Sequence, residues 1–266
     1  MLQQTLFYSP IKSPLIYSGL KFRIMRELAD AFKPADNFYD LFGGSGTVAI
    51  NALEMGIYKS VYIYEFKYEV FELYHLLAKE TTQEKLKEVI RVFKPTTKKG
   101  YLALREAYNQ NKNPLFLLAL HYHSFSNIIS FNKSGKFNAP IGNRGLSKEK
   151  EFLLRHSVPY FKKLIKSNKS FDEVEIKDNS FVYLDPHILE QMQGITKWDM
   201  ELEKRLHIFM DNLLDRGIPF VLSNTESNCP LMEWIDKRGL EVSYPKITYS
   251  LGKHTTKTKE ILVKGY

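Results

Sequence analysis

Apolar residues recur at helical and at strand spacing in turn along this chain, and that alternation predicts an α/β fold. In residues 20–32, Ile24, Met25, Leu28 and Phe32 share one helical face, and Pro34 favours an end to that helix. Residues 38–42 form a short apolar strand, and Gly43, Gly44 and Gly46 make a tight turn after it. Helical spacing resumes over 47–55, where Gly56 can terminate it. Val61-Tyr62-Ile63-Tyr64 reads as a second strand ending at Glu65, and Val70, Phe71, Tyr74 and Leu77 mark the next helix. This order of strand, loop, helix, strand and helix is the unit of a doubly wound sheet.

The pattern changes near residue 81. Residues 83–91 and 101–108 carry helical spacing on either side of a basic linker at 94–100. Residues 114–123 are strongly apolar, and 127–144 are polar with Gly135, Pro140 and Gly142, as loops and a small hairpin would be. A helix returns over 148–164. The sheet pattern then resumes with a strand at 181–184. Leu202, Leu206, Phe209, Met210 and Leu213 share a face of a helix over 198–214, which Arg216-Gly217 ends. A strand at 218–223 containing Pro219, a short helix at 231–237 and a last strand at 259–263 follow. Residues 1–82 and 166–266 are thus expected to form the core, and 83–165 an inserted, mainly helical module.

Composition narrows the setting. The net charge of +8 is compatible with a polyanionic partner. A single cysteine, Cys229, excludes an intrachain disulfide framework and a cysteine-rich zinc site, and is expected to be structural. No metal is expected. The sequence shows no apolar run of membrane-spanning length and no signal-peptide pattern, so a cytoplasmic protein without a membrane partner is expected.

Two strand tips carry candidate chemistry. The first is Asp40-Leu41-Phe42-Gly43-Gly44-Ser45-Gly46, whose glycines allow positive φ and close approach of a ligand to the backbone. The spacing matches neither the G-x-G-x-x-G fingerprint nor a phosphate-binding loop. Glu65, at the second strand's tip, can accept hydrogen bonds from two ribose hydroxyls. Asp40 can pair with an ammonium, such as that of S-adenosylmethionine, and would repel a pyrophosphate. Phe171 suits either an adenine ring or core packing. The second tip is Phe181-Val182-Tyr183-Leu184-Asp185-Pro186. There the Asp185 carboxylate and a backbone carbonyl aimed by Pro186 can hold an exocyclic amine toward an electrophilic methyl group. A duplex base must leave its stack to reach such a pocket, and is then usually held by an aromatic face. His187 and Ile188 occupy the positions after the proline.

These segments, in this order, resemble the Dam-type family of adenine-N6 DNA methyltransferases over almost the full length. Tyr17-Ser18-Gly19-Leu20-Lys21 is similar to the family's N-terminal segment, with Lys21 facing the cofactor, and Asp40 to Gly46 is similar to its cofactor loop. His121-Tyr122-His123-Ser124-Phe125-Ser126-Asn127 and Phe131-Asn132-Lys133-Ser134-Gly135-Lys136-Phe137-Asn138-Ala139-Pro140-Ile141-Gly142 resemble its recognition segment. Phe220-Val221-Leu222-Ser223-Asn224 fits a later core strand. The resemblance implies a Rossmann-like, S-adenosylmethionine-dependent methyltransferase core with an inserted DNA-recognition module. It implies a cofactor set of Tyr17, Lys21, Asp40, Phe42, Gly43, Gly44, Gly46, Glu65, Phe171 and Asp185. Asp185, Pro186, His187 and Ile188 occupy the catalytic motif, and Ser126, Asn127, Ser130, Asn132, Lys133, Lys136 and Arg144 are placed toward duplex DNA, where Ser126 and Asn127 either touch bases or only cap the next turn.

Three departures stand out. The family's Asp-Pro-Pro-Tyr reads Asp185-Pro186-His187-Ile188, the residues after it differ, and Ser130 replaces a common arginine. Lys133, Lys136, Arg144, Lys148 and Lys150 suit phosphate contacts, and arginine also suits guanine. A second basic stretch, Lys246, Lys253, His254, Lys257 and Lys259, surrounds Tyr249. Two functions fit these features: a site-specific adenine-N6 DNA methyltransferase, or a catalytically impaired relative that binds DNA, S-adenosylmethionine or both. A nicotinamide-dependent oxidoreductase fits less well, because the glycine spacing and Asp40 both oppose it.

Overall fold

The computed structural model describes residues 8–16, 21–187, 198–245, 248–249 and 258–266. Five strands are parallel: β1 (Asn37–Asp40), β2 (Ser60–Tyr64), β3 (Ile165–Ser167), β4 (Ser180–Leu184) and β5 (Phe220–Thr225). β6 (Glu241–Ser243), β7 (Thr248–Tyr249) and β8 (Thr258–Gly265) follow, and β8 runs antiparallel between β5 and β6. The order is β3-β2-β1-β4-β5-β8-β6, with β7 paired to the start of β8. β1 lies between β2 and β4, so the chain's progress across the sheet reverses there.

Strand side chains alternate between two apolar layers because successive residues point to opposite faces. Phe38, Phe181, Tyr183 and Val221 enter one layer, while Tyr39, Val182, Leu184, Phe220 and Leu222 enter the other. Both faces are covered, which explains the nearly continuous apolar runs of β4 and β5. On the first face lie α1 (Met25–Ala31), α2 (Thr47–Met55), α3 (Tyr68–Leu77), α4 (Thr82–Phe93), α5 (Lys98–Asn111), α6 (Pro114–His123) and α7 (Lys148–Lys163). On the second lie α8 (Met200–Asp215) and α9 (Cys229–Arg238).

The expected α/β arrangement is present, and four local expectations change. The basic stretch at 94–100 is partly helical: α5 starts at Lys98, and the Thr97 side chain accepts from the Gly100 amide at 3.1 Å. A Cβ on Gly100 would lie 2.0 Å from the Phe93 carbonyl, so this glycine permits a close turn between helices. Pro219 precedes β5, which begins at Phe220. β3 has three residues at the sheet's edge, with Ile165 45% exposed, and so carries almost no apolar signal. Cys229 is exposed at the start of α9.

Residues 83–165 do not have a separate core. Leu86, Tyr101, Leu104, Tyr108 and Leu118 join the same buried cluster as Phe38, Ile63 and Phe181. α6 is buried at every position from Leu117 to its end at His123, and anchors this segment. Among the described residues, no helix is long and apolar enough to cross a membrane.

Gly43 shows how tightly the first loop is seated. A Cβ there would lie 2.5 Å from Ile63 Cγ1 and 2.7 Å from the Tyr74 hydroxyl. Gly56 has φ +66° but open space around it. Gly43→Ala should therefore cost about 1–3 kcal/mol from overpacking, and Gly56→Ala about 1 kcal/mol from backbone strain alone. Urea denaturation of the two variants checks this; equal losses would refute the packing argument.

Candidate active site

β1, β2 and β4 end at one edge of the sheet, and an acid stands at each tip. The register sets Asp40 level with Ile63 and Tyr183, so Glu65 and Asp185 each lie two residues beyond it. Ligands bind outside the carboxyl ends of strands at such a reversal point.

The loop after β1 is held by its own backbone. Gly43 N donates to the Tyr64 carbonyl at 2.8 Å, and Gly46 N to the Gly43 carbonyl at 2.7 Å. The Tyr74 hydroxyl donates to the Gly44 carbonyl at 2.8 Å. Gly44 and Gly46 have φ of +52° and +75°, and a Cβ on Gly46 would meet Phe161 Cζ at 3.0 Å. Glu65 ties the loop to the tip of β2: its carboxylate accepts from Gly44 N at 3.0 Å and from Lys67 N at 2.8 Å. Burial raises the Glu65 pKa, and these donors oppose that rise. The segment before the sheet braces the same loop. Asn51 Oδ1 accepts from the Tyr8 hydroxyl and Ile11 N, and Ser13 Oγ donates to the Ser45 carbonyl.

Asp40 is 1% exposed, and no described donor reaches its Oδ1. Loss of solvation pushes its pKa up to about 8; Asp185 and Glu65 add repulsion, while the Phe42 and Ala49 amides oppose it. A buried acid with a vacant acceptor fits a cationic ligand group.

Asp185 is fixed from two sides. Its Oδ1 accepts from Ser223 Oγ on β5 at 2.9 Å and pairs with Lys21 Nζ at 2.9 Å. Lys21 Nζ also lies 3.5 Å from Oε1 of Glu260, a residue of β8 with 3% exposure. The Tyr183 hydroxyl lies 2.7 Å from Ser223 Oγ. Pro186 is buried and His187 is exposed at the edge of the described stretch. Tyr17 and Ile188 lie outside the described residues.

Among the expected cofactor residues, Phe42 is half-buried, while Phe171 is 3% exposed and packs behind it, with ring centres 5.4 Å apart. Phe171 also touches Trp198 and Phe209. It thus supports Phe42 and has little open face of its own. Sequence reasoning missed Ser223 and Glu260, which reach Asp185 and Lys21. Their only signal is position: Ser223 is the first polar residue after the apolar run 220–222, and Glu260 directly precedes the apolar run 261–263. Phe66 is 61% exposed directly after Glu65.

The expected DNA-facing residues divide into two groups. Lys133, Lys136 and Arg144 are exposed on the loops between α6 and α7. Asn132 is exposed too, but its Oδ1 builds the hairpin tip by accepting from the Ser134 and Lys136 amides. Ser130 Oγ donates to Asn138 Oδ1 at 2.8 Å. Asn127 takes the capping role of its two readings: its side chain is 4% exposed and donates to the His121 and Tyr122 carbonyls, closing the end of α6. Both of its side-chain N–H protons are therefore spent on the backbone. Ser126 remains exposed at φ +52°, beside Phe125, which is 58% exposed. Lys150 is buried, donates to the Gly145 carbonyl at 2.9 Å, and has its pKa pushed down to about 8 by desolvation. In the second basic stretch, Lys259 lies 3.8 Å from Glu226; Lys246, Lys253, His254 and Lys257 lie outside the described residues.

The sequence pattern of the D12 class N6 adenine-specific DNA methyltransferases matches residues 17–250. The chain belongs to this family. Its sheet is accordingly a Rossmann-like methyltransferase core. It is 30% identical to the modification methylase StsI of Streptococcus sanguinis, over 96% of this chain and 43% of that protein. It is 28% identical to the type II methyltransferase M.FokI of Planomicrobium okeanokoites, over 97% of this chain and 43% of that one. The chain thus spans less than half the length of these relatives. The DNA adenine methylase of Escherichia coli K12 is 22% identical, with 95% of this chain and 94% of that protein covered.

The Asp40 environment sets a pH dependence for the unliganded protein. Its folded pKa, about 8, exceeds its ordinary value of 3.8. The stability linked to this proton is therefore complete below about pH 4 and is lost as pH rises through 8. Asp40→Asn removes that loss. Its advantage over the wild type should be near zero at pH 4, grow to a few kcal/mol by about pH 8, and then level off. Denaturant titrations at several pH values check the expected rise; a flat difference would contradict it.

Proposed function

We propose that this chain transfers a methyl group from S-adenosylmethionine to N6 of adenine in duplex DNA. The observation that carries this is the pairing, at one sheet edge, of a buried Asp40 oxygen lacking a described donor with an Asp185 held by Ser223 and Lys21. The residues fit the cofactor's groups one by one. Asp40 would hold the ammonium, the loop glycines would allow backbone approach, and Glu65 would take the ribose hydroxyls. Phe42 and Phe66 offer aromatic faces for the purine. When bound, S-adenosylmethionine supplies an electrophilic methyl group on a positively charged sulfur.

Catalysis by this chain is then positioning and electrostatics. Asp185 and the Pro186 carbonyl accept hydrogen bonds from the target amine and stabilise the positive charge that develops on its nitrogen. Lys133, Lys136 and Arg144 supply phosphate or guanine contacts, and exposed Phe125 beside them can cover a base left unstacked. The change from tyrosine to isoleucine at the end of Asp185-Pro186-His187-Ile188 favours a second outcome, a relative that binds without turnover.

Purified protein incubated with methyl-labelled S-adenosylmethionine and sequence-diverse duplex DNA should yield labelled N6-methyladenine. Asp185→Ala should lower the rate by about 10²–10³-fold. Ile188→Tyr should raise it if only the aromatic platform is missing. Cofactor binding without any transfer by the wild type would favour the binding-only relative.

Cofactor binding carries its own signature. Asp40 must lose its proton to pair with an ammonium, so affinity should rise with pH toward about 8. Above that, an α-amino group of pKa about 7.7–8.0 loses its own charge, and affinity should fall. Calorimetry in buffers of different ionisation enthalpy should show proton release near pH 7, and Asp40→Asn should abolish it.

A further inference from the structure

We infer that Ser223 and Tyr183 are positioning residues for Asp185, forming a one-way hydrogen-bond chain that fixes one carboxylate oxygen and leaves the other for the target amine. This rests on the methyl-transfer role proposed above for Asp185. Tyr183 and Asp185 are two residues apart at the end of β4, so their side chains share a sheet face. The parallel register pairs Tyr183 with Val221 and Leu184 with Leu222, which brings Ser223 level with Asp185 on that face. Ser223 is fully buried and Tyr183 is 1% exposed.

The direction of the chain follows from proton count. An ionised carboxylate only accepts, so Ser223 spends its single hydroxyl proton on Asp185 Oδ1 at 2.9 Å. The Tyr183 hydroxyl must then donate to Ser223 Oγ across their 2.7 Å contact. Burial strengthens that order, raising the Tyr183 pKa well above its ordinary value and keeping its proton in place. Lys21 Nζ reaches the same Oδ1 at 2.9 Å. Among the described residues no hydrogen bond or ion pair engages Oδ2. Both constraints thus act on one oxygen and orient the plane of the carboxylate.

A residue of this kind acts through Asp185, so its loss should slow methyl transfer without weakening the cofactor. Ser223→Ala should lower the single-turnover rate about 10–100-fold, as expected for losing a hydrogen bond to a charged group. The dissociation constant for S-adenosylmethionine should stay within about twofold. Tyr183→Phe should cost less, and the double variant should be no slower than Ser223→Ala alone, because Tyr183 acts only through Ser223. Ser223→Cys, similar in size but a weak donor, should fall between the wild type and Ser223→Ala. Additive losses, or a parallel loss of cofactor affinity, would overturn the assignment. Wild type inactive on every duplex would count against the proposed function instead. Crystal structures of the wild type and Ser223→Ala then decide this point separately: a rotated Asp185 carboxylate supports the chain, and an unmoved one overturns it.

Discussion

Like charges gathered in a dry crevice are the constraint on which this site depends. Parallel strands deliver their carboxyl ends to one edge, and here the chain places Asp40, Glu65 and Asp185 at those ends. Glu260 joins them from β8. Four carboxyl groups at such range cannot all remain ionised without compensation. The structure resolves the conflict in a different way for each: backbone amides for Glu65, Lys21 and Ser223 for Asp185, Lys21 for Glu260, and a raised pKa for Asp40.

That resolution links electrostatics to ligand choice. A crevice in which one acid has a raised pKa favours a ligand that brings positive charge. A pyrophosphate would add to the repulsion. The same crowding explains the loop geometry: with Tyr74, Ile63 and Phe161 pressed against it, only glycine fits at 43 and 46. The segment carrying Tyr8, Ile11 and Ser13 reinforces the loop from outside. It continues to α6, where Tyr122 donates to the Pro14 carbonyl and Ile16 N to His121. The loop after β1 and the end of α6 are therefore joined through one short stretch of backbone.

The helices between β2 and β3 share their core with the sheet. α6 and α7 pack on α3, α7 also on α2, and α4 on α6 and α7, while exposed Lys133, Lys136 and Arg144 stand on loops braced by buried Lys150 and Asn127. Polar residues that look alike in sequence thus do different work. Asn127 and Lys150 hold the frame, while Lys133, Lys136 and Arg144 face solvent.

The sequence by itself determined the alternation of strands and helices, because burial on two faces demands long apolar runs at strand or helical spacing. It also marked Asp40, Glu65 and Asp185, because an acid at the end of such a run has no packing reason to be there. It did not reveal β3 or the true start of α5: three edge residues need no apolar pattern, and Gly100 looks like a breaker until a neighbouring helix is seen to require it. Nor did it reveal which polar residues meet. Ser223 and Lys21 reach Asp185, and Glu260 reaches Lys21, from segments 38 to 239 positions away, a proximity set by parallel register and crossover connections. Tertiary structure alone decided that Asn127 turns inward and that the Asp40 pKa is raised, because both depend on what surrounds the side chain and how little water reaches it.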